Sequence, residues 1–160
     1  MQLWLYVQWP GPEFKDRWAQ WRGDDLKAAQ REPAKTWQAG VDNHIAYTEL
    51  VRQKLADKYP EKPPLIVPAG KALALMKTEL DAGRVPGMTD FFKEFFADGI
   101  HLTPKGRYLV SLVHYACLYK ESPVGKASAL TTGLTPEQLA IFQRLAWDAV
   151  KNYQWSGVKP

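Results

Sequence analysis

Two short apolar runs rich in β-forming residues constrain the fold of this chain most strongly. The first, Leu3 to Trp9, stops at Pro10 and Gly11, and the second, Leu65 to Val67, is bounded by prolines on both sides. Short continuous apolar runs that end in turn residues are typical of strands buried on both faces of a parallel sheet. Because parallel strands need a crossover connection, the helical segment between the two runs predicts a parallel pair joined by a helix.

Helical periodicity accounts for most of the remaining sequence. Apolar residues recur at helical spacing in five segments, at residues 43–59, 73–80, 90–96, 104–119 and 136–150. Asp42 or Asn43 can cap the first of these helices, since either side chain accepts a hydrogen bond from a backbone N–H. Gly83 stands where the second helix needs a left-handed C-terminal cap. The sequence therefore predicts a helix-rich protein.

Two of the helices carry clear N-terminal signals. Thr103 can cap one of them with its hydroxyl, and Pro104 has no N–H to lose at the first helical position. Thr135 and Gln138 form a capping box ahead of the last helix. The helix from Pro104 to Tyr119 is apolar on nearly every face, which predicts that it is well buried.

The element order indicates the α/β class. It is the order of the second half of a doubly wound sheet, with residues 11–40 as an insertion that contains one short helix. Residues 1–125 hold the sheet, and we expect residues 126–160 to form a helical extension packed on the same domain. Two strands leave the edges of a parallel sheet open. We therefore expect either a truncated chain or a sheet completed between copies in a homo-oligomer.

Composition excludes several classes of protein. With 160 residues, of which 46% are apolar, the chain can build a core without metals or disulfides. Its single cysteine, Cys117, lies in an apolar run and is predicted to be a small buried hydrophobe. The net charge of +4 comes from basic residues spread along the chain, so we expect no nucleic-acid groove. No apolar run is long enough to cross a membrane, and the first residues lack the basic region of a signal peptide, which leaves the compartment undecided.

The segment from Asp98 to Gly106 reads Asp-Gly-Ile-His-Leu-Thr-Pro-Lys-Gly and carries the chemistry. A carboxylate three residues before a histidine on a loop can accept the imidazole Nδ1 proton, which leaves Nε2 free as a general base. Gly99 allows a tight turn between the two partners. The cap at Thr103 anchors His101 beside the start of a helix. Taken alone, Asp98 and His101 can therefore be two members of a catalytic triad that lacks only a hydroxyl, or a structural pair whose hydrogen bond steadies the loop.

This segment resembles the last conserved block of the SGNH/GDSL hydrolases, an Asp-x-x-His followed by Leu, by Thr, Ser or Asn, by Pro and by Gly. Agreement continues to Leu109 and to residues 122–125, as in a bacterial subgroup of carbohydrate esterases and related lipolytic enzymes, and residues 65–70 resemble the final core strand of that fold. The resemblance covers residues 1–125. It implies the C-terminal half of a three-layer, flavodoxin-like fold in which His101 is the base and Asp98 orients it.

The chain departs from that family at the nucleophile. The Gly-Asp-Ser block, the block that supplies an oxyanion-hole glycine and the Gly-x-Asn-Asp block are all missing from the sequence. Residues 40–43 contain the residue types of the last block in the wrong order. In the family all three blocks precede the strand placed here at Leu3 to Trp9. We therefore expect this chain to begin after them.

The serines of the chain are the candidates for a substitute nucleophile. They are Ser111, Ser122, Ser128 and Ser156. Ser111 falls inside the helix predicted to be buried, where a hydroxyl usually bonds to a carbonyl one turn earlier. Ser122 lies in a loop before a proline and is the residue we would test. None of the four occupies the strand-to-helix turn that exposes a nucleophile.

Metal binding and carbohydrate binding are the other interpretations of these residues. His44 and His114 could join His101 and Asp98 around zinc, but their spacing does not support such a site, so we expect no metal and no cofactor. The tryptophans of the insertion at residues 11–40 could stack on sugar rings, although packing in the core or at an interface is the commoner role.

With the resemblance, the dyad implies an ester hydrolase that acts on a small-molecule ester, such as an acetylated sugar or a short acyl ester. If the chain acts alone, water activated by His101 or a hydroxyl such as that of Ser122 must replace the missing serine. The alternative is a catalytically degenerate or truncated relative that serves as an oligomeric or carbohydrate-binding protein.

Overall fold

The computed structural model of the protein describes residues 2–12, 27, 32, 34–126 and 133–158. Its elements, in chain order, are β1 (Trp4–Tyr6), α1 (Trp37–Lys58), β2 (Leu65–Val67), α2 (Ala69–Asp81), α3 (Phe91–Phe95), α4 (Pro104–Tyr119) and α5 (Pro136–Lys151). Most of the predicted insertion at residues 11–40 lies outside the described residues, so its short helix stays a prediction. The division into residues 1–125 and 126–160 also stays a prediction.

β1 and β2 form a parallel sheet with α1 as the crossover, as predicted. The strands pair Trp4 with Leu65, Leu5 with Ile66 and Tyr6 with Val67. On one face of the sheet, Ile45 of α1 packs against Val7 and Ile66. On the other face, the ring of His114 from α4 stacks on Tyr6 with 5.4 Å between ring centroids. These contacts confirm a helix-rich, mixed α/β protein with two parallel strands.

α1 begins earlier than its periodicity indicates. Its first residue is Trp37 and its N-cap is Thr36, whose hydroxyl accepts a backbone hydrogen bond. The predicted caps, Asp42 and Asn43, therefore lie inside the helix, and that prediction is wrong. The physical reason is tertiary, because the buried Trp37 ring packs edge-on against Phe91 with 5.1 Å between centroids. Burial of this large ring stabilises a helical turn that has no apolar period of its own.

α2 also begins before its predicted start at Leu73, at Ala69. Its first turn packs directly on β1, where the Gly70 N–H donates to the carbonyl oxygen of Val7 at 3.1 Å. Small residues at this turn allow the two backbones to approach. The predicted end of the helix is confirmed, since Gly83 adopts a left-handed conformation with φ 68° and its N–H donates back to the last turn.

The N-terminal signals predicted for the last two helices are confirmed. α3 also has a cap, which the sequence analysis did not name, because the Asp90 carboxylate accepts two backbone N–H groups at its start. The Thr103 hydroxyl accepts the N–H of the third residue of α4 at 3.3 Å. At the start of α5, Thr135 and Gln138 make both hydrogen bonds of a capping box. α5 packs against α2 and α4 and closes the core on that side.

α4 is less buried than its composition predicts. Cys117 is fully buried, as predicted, and burial raises the pKa of its thiol to about 12, which makes it an inert apolar residue. In contrast, Leu118 and Tyr119 have exposed fractions of 58% and 68%. Ser111 is exposed as well. The helix therefore presents an uncovered face among the described residues.

His44 should make the fold sensitive to acid. Its imidazole is buried in α1, and burial lowers its pKa to about 4. Between the ordinary histidine pKa near 6.5 and pH 4, the unfolded chain binds a proton that the folded chain does not, so stability falls as the pH drops through that window. Urea unfolding at pH 7 and pH 4.5 should show a loss of roughly 2–3 kcal/mol from this group.

His44→Gln supplies the control for this prediction. It lacks the titrating imidazole, so its unfolding free energy should change less than that of the wild type between the two pH values. Equal pH dependence in the two proteins would contradict the assignment to His44.

Candidate functional site

Asp98 and His101 form a hydrogen-bonded pair on the loop between α3 and α4. The Asp98 Oδ2 and His101 Nδ1 atoms lie 2.7 Å apart. The other carboxylate oxygen, Oδ1, accepts the backbone N–H groups of Ile100 at 2.9 Å and His101 at 2.8 Å. Three hydrogen bonds thus hold the carboxylate, and the structure brings together the two residues that the sequence singles out.

The same hydrogen bonds keep Asp98 ionised. Together they lower the pKa of the Asp98 carboxyl to about 2. The hydrogen bond from the Ile100 N–H has the largest effect, followed by those from the His101 N–H and the His101 imidazole. An ionised carboxylate can only accept a hydrogen bond, so Nδ1 is the donor of the pair. Nε2 is then the nitrogen that is free to accept a proton. The His101 side chain is 72% exposed, so this nitrogen is accessible to solvent.

The loop that carries the pair is closed at its base. Phe96 and Leu102 form an isolated antiparallel bridge, and the Ala97 N–H donates to the His101 carbonyl oxygen at 2.8 Å. The Thr103 hydroxyl caps α4 and also donates to the carbonyl oxygen of Glu94 in α3, at 2.7 Å. One threonine therefore ties the start of α4 to α3 and positions the loop between them.

Gly11 is a site residue that the sequence analysis missed. A Cβ atom at this position would overlap the carbonyl oxygen of Gly99, so the turn after β1 packs directly against the loop of the pair. The Trp9 indole N–H reaches the Ile100 carbonyl oxygen in the same region, at 3.4 Å. In the described part of the chain no atom would meet a Cβ added at Gly99, and its φ is not left-handed, so the turn itself does not require this glycine. A glycine directly after the strand-ending proline is the signal that could have pointed to this contact.

An open cleft of about 420 Å³ lies between the C-terminal end of β1, the loop and α4. Its walls are mainly apolar and include Tyr6, Trp9, Ile100, Leu102 and Val110. The polar groups at the cleft are His101, Arg107, Ser111 and His114. An apolar cleft with a few polar groups is the usual form of a small-molecule site.

The structure separates the two serines that the sequence analysis weighed. Ser122 follows the C-terminus of α4 whereas His101 precedes its N-terminus, and a 16-residue helix is about 24 Å long. Ser111, in contrast, lines the cleft, and its hydroxyl donates to the Tyr108 carbonyl oxygen at 2.7 Å, which is the bond predicted for it. The expectation that Ser111 is buried is wrong, because the residue faces the open side of α4.

The remaining candidate residues have structural surroundings. Ser156 is buried and its hydroxyl accepts the Val158 N–H at 3.2 Å, whereas Ser128 lies outside the described residues. His114 is half-buried, with its Nδ1 2.9 Å from the Val110 carbonyl oxygen. Within residues 2–12, 34–126 and 133–158, no group of three or more His, Cys, Asp or Glu side chains is arranged to hold a metal ion.

The described tryptophans are buried or half-buried. The Trp37 indole N–H donates to the Pro10 carbonyl oxygen at 2.7 Å, and the ring belongs to the core. Trp9 lines the cleft, and Trp155 lies under the Arg52 guanidinium, 3.7 Å from the ring centroid. Trp18 and Trp21, on which a sugar-binding insertion would depend, lie outside the described residues.

Comparison with known proteins finds no relative of this chain. No model of a protein family matches the chain, and no curated protein and no solved structure matches it. In the part of the chain that the structure describes, no helix has the length and apolar character needed to cross a membrane.

Proposed function

We propose that the protein is an ester hydrolase in which His101 is the general base and Asp98 orients it. The observation that carries the proposal is the pair itself. The Asp98 carboxylate holds Nδ1 at 2.7 Å, and the exposed imidazole lines an apolar cleft. General-base catalysis needs this combination of a fixed tautomer and an accessible nitrogen. The helices on both faces of the parallel strands support the finer part of the proposal, a partial flavodoxin-like fold of the SGNH type.

The reaction we propose uses water as the nucleophile. His101 Nε2 takes a proton from a water molecule as the water oxygen bonds to the ester carbonyl carbon. The tetrahedral intermediate then collapses, the bond to the alcohol oxygen breaks, and the imidazolium returns its proton to that oxygen. The products are a carboxylic acid and an alcohol. The ionised Asp98 stabilises the imidazolium between the two proton transfers.

The cleft favours a small substrate with an apolar acyl group. The side chains of Leu102 and Val110 offer an apolar surface for a short acyl chain, and the rings of Tyr6 and Trp9 could stack on a sugar. Short acyl esters and acetylated sugars are the substrate classes that fit both features.

A non-catalytic role is the second candidate, and the position of Ser122 favours it. With that hydroxyl at the far end of α4, the substitute nucleophile considered from the sequence is not beside His101. A protein that descends from hydrolases but only binds its ligand would show the same arrangement.

Hydrolysis of p-nitrophenyl esters tests the proposal. We expect the acetate and butyrate esters to be hydrolysed above the buffer rate and the octanoate ester more slowly. Ser122→Ala should behave as the wild type, since its hydroxyl is remote from the pair. Ser111→Ala should change the rate less than tenfold if water is the nucleophile. Release of p-nitrophenol at the buffer rate for every ester would reject catalysis and leave the binding role.

A further inference from the structure

The outer edge of β1 presents backbone groups that have no partner among the described residues. The Leu65 N–H donates to the Leu3 carbonyl oxygen at 3.0 Å, and the Val7 N–H donates to the Val67 carbonyl oxygen at 3.1 Å. Residues of a strand alternate in the direction of their backbone groups, so those of Trp4 and Tyr6 point away from β2. The edge therefore offers two N–H donors and two carbonyl acceptors to another strand.

The other edge of the sheet is covered by the chain itself. The Ile66 N–H on the outer side of β2 donates to the Trp155 carbonyl oxygen at 2.8 Å. Charged residues and prolines are two of the features by which monomeric proteins block an edge, and Trp4-Leu5-Tyr6 contains neither. The contrast between the two edges singles out β1 as the side that pairs with a further strand.

An apolar cleft of about 460 Å³ runs beside this edge. It is lined by Trp4, Leu5, Tyr6, Val67, His114 and Leu118, so no Lys, Arg, Asp or Glu side chain contributes to it. Leu118 and Tyr119 extend the apolar surface along α4, with exposed fractions of 58% and 68%. Contiguous apolar surface of this kind marks a protein interface.

We propose that the edge of β1 binds the same edge of a second copy of the chain, in an antiparallel pair about a two-fold axis perpendicular to the sheet. Trp4 of each copy then lies opposite Tyr6 of the other, with Leu5 opposite Leu5 on the axis. Each opposed Trp4 and Tyr6 exchange two N–H···O=C bonds, so every outward group of both strands is paired. The result is a four-stranded sheet in the order β2, β1, β1, β2.

The surroundings of the edge favour an identical partner. A two-fold axis perpendicular to the sheet places α4 of both copies on the same face, so that the exposed Leu118 side chains approach each other across the axis. Although each chain carries a net charge of +4, none of the side chains that line the cleft is a Lys or Arg. Two copies can therefore meet there without placing like charges against each other.

Sedimentation equilibrium of the purified chain tests the association. The wild type should show twice the chain mass of 18.2 kDa. Leu118→Lys places two ammonium groups at the axis and should raise the dimer dissociation constant by about tenfold or more. Tyr59→Lys replaces an apolar residue of similar exposure that does not line the cleft, and should leave the dimer unchanged. A folded wild type that stays monomeric, as it would if the edge takes a strand of a different protein, overturns the proposal.

Cysteine cross-linking tests the register. Leu5→Cys puts two thiols on opposed residues of a non-hydrogen-bonded pair, close enough for a disulfide between copies. Leu3→Cys is the matched control, because residue 3 lies opposite residue 7 in this register. Under mild oxidation Leu5→Cys should form a covalent dimer on a non-reducing gel, and Leu3→Cys should remain monomeric there. Equal cross-linking of the two variants would refute the pairing. Neither experiment depends on ester hydrolysis, so its outcome is separate from that of the proposed function.

Discussion

Replacing His101 by alanine should lower the rate of p-nitrophenyl acetate hydrolysis by a factor on the order of 10²–10⁴, the range that a general base contributes. The reason is that Asp98 holds Nδ1 of His101, which leaves Nε2 of His101 accessible in the cleft to take a proton. Because the His101 side chain is 72% exposed, its removal should leave the fold intact, as far-ultraviolet circular dichroism would verify. Equal rates for the wild type and His101→Ala would remove the pair from the mechanism.

Two further variants make this result specific. His114→Ala removes an imidazole that lines the same cleft but has no carboxylate beside it among its hydrogen bonds in the described part of the chain, so the rate should change only a few-fold. Asp98→Asn keeps the shape of the orienting group without its charge, and should slow hydrolysis about tenfold or more because the imidazolium loses its counter-charge.

The pH dependence of hydrolysis should not include a titration of Asp98. Backbone hydrogen bonds from Ile100 and His101 hold the pKa of Asp98 at about 2, so the carboxylate stays ionised throughout the range in which activity can be assayed. Any loss of activity that a pH–rate profile shows between pH 7 and pH 4 must then come from a group other than Asp98.

Gly70→Ala should cause a large loss of stability. A Cβ at this position would overlap the carbonyl oxygen of Gln8, a backbone atom that cannot move aside as a flexible side chain can. The Gly70 N–H also donates to the Val7 carbonyl oxygen. A shift that relieves the overlap would therefore also break this hydrogen bond between the first turn of α2 and the end of β1. We expect unfolding to become easier by about 3 kcal/mol, as for severe overpacking of a core.

Gly99→Ala is the matched control for this variant. Among the described residues nothing lies within contact distance of a methyl group added at Gly99, which also has no left-handed φ, so the same substitution should change stability by less than about 0.5 kcal/mol. Urea denaturation followed by tryptophan fluorescence compares the two variants with the wild type. Similar midpoints for Gly70→Ala and the wild type would show that the strand and helix are not in the contact described.

Several elements could be predicted because their signals act between close neighbours. Thr103 and Thr135 accept N–H groups three residues ahead of them, and Gly83 closes α2 through its own backbone. The pairing of Asp98 with His101 belongs to the same group, since only three residues separate the carboxylate from the imidazole. Hydrogen bonds this local depend little on the rest of the fold.

Other features could not be predicted because they depend on contacts between distant segments. The start of α1 depends on the packing of Trp37 on Phe91. The place of the Asp98–His101 loop beside the end of β1 depends on the contact of Gly11 with Gly99. The exposure of Ser111 is another such feature. The periodicity of α4 indicates a buried helix, but which face is buried depends on where the other elements pack.

The sequence by itself determined the two apolar strand segments, the helix caps at Thr103 and Thr135 and the Asp98–His101 pair, because each is encoded by neighbouring residues. Only the tertiary structure decided that a cleft opens beside His101, that Ser122 lies about 24 Å away along α4, and that the outer edge of β1 has no partner among the described residues. These three features are distances between segments far apart in the chain. Such distances are set by the packing of whole elements against one another, which no local pattern of residues records.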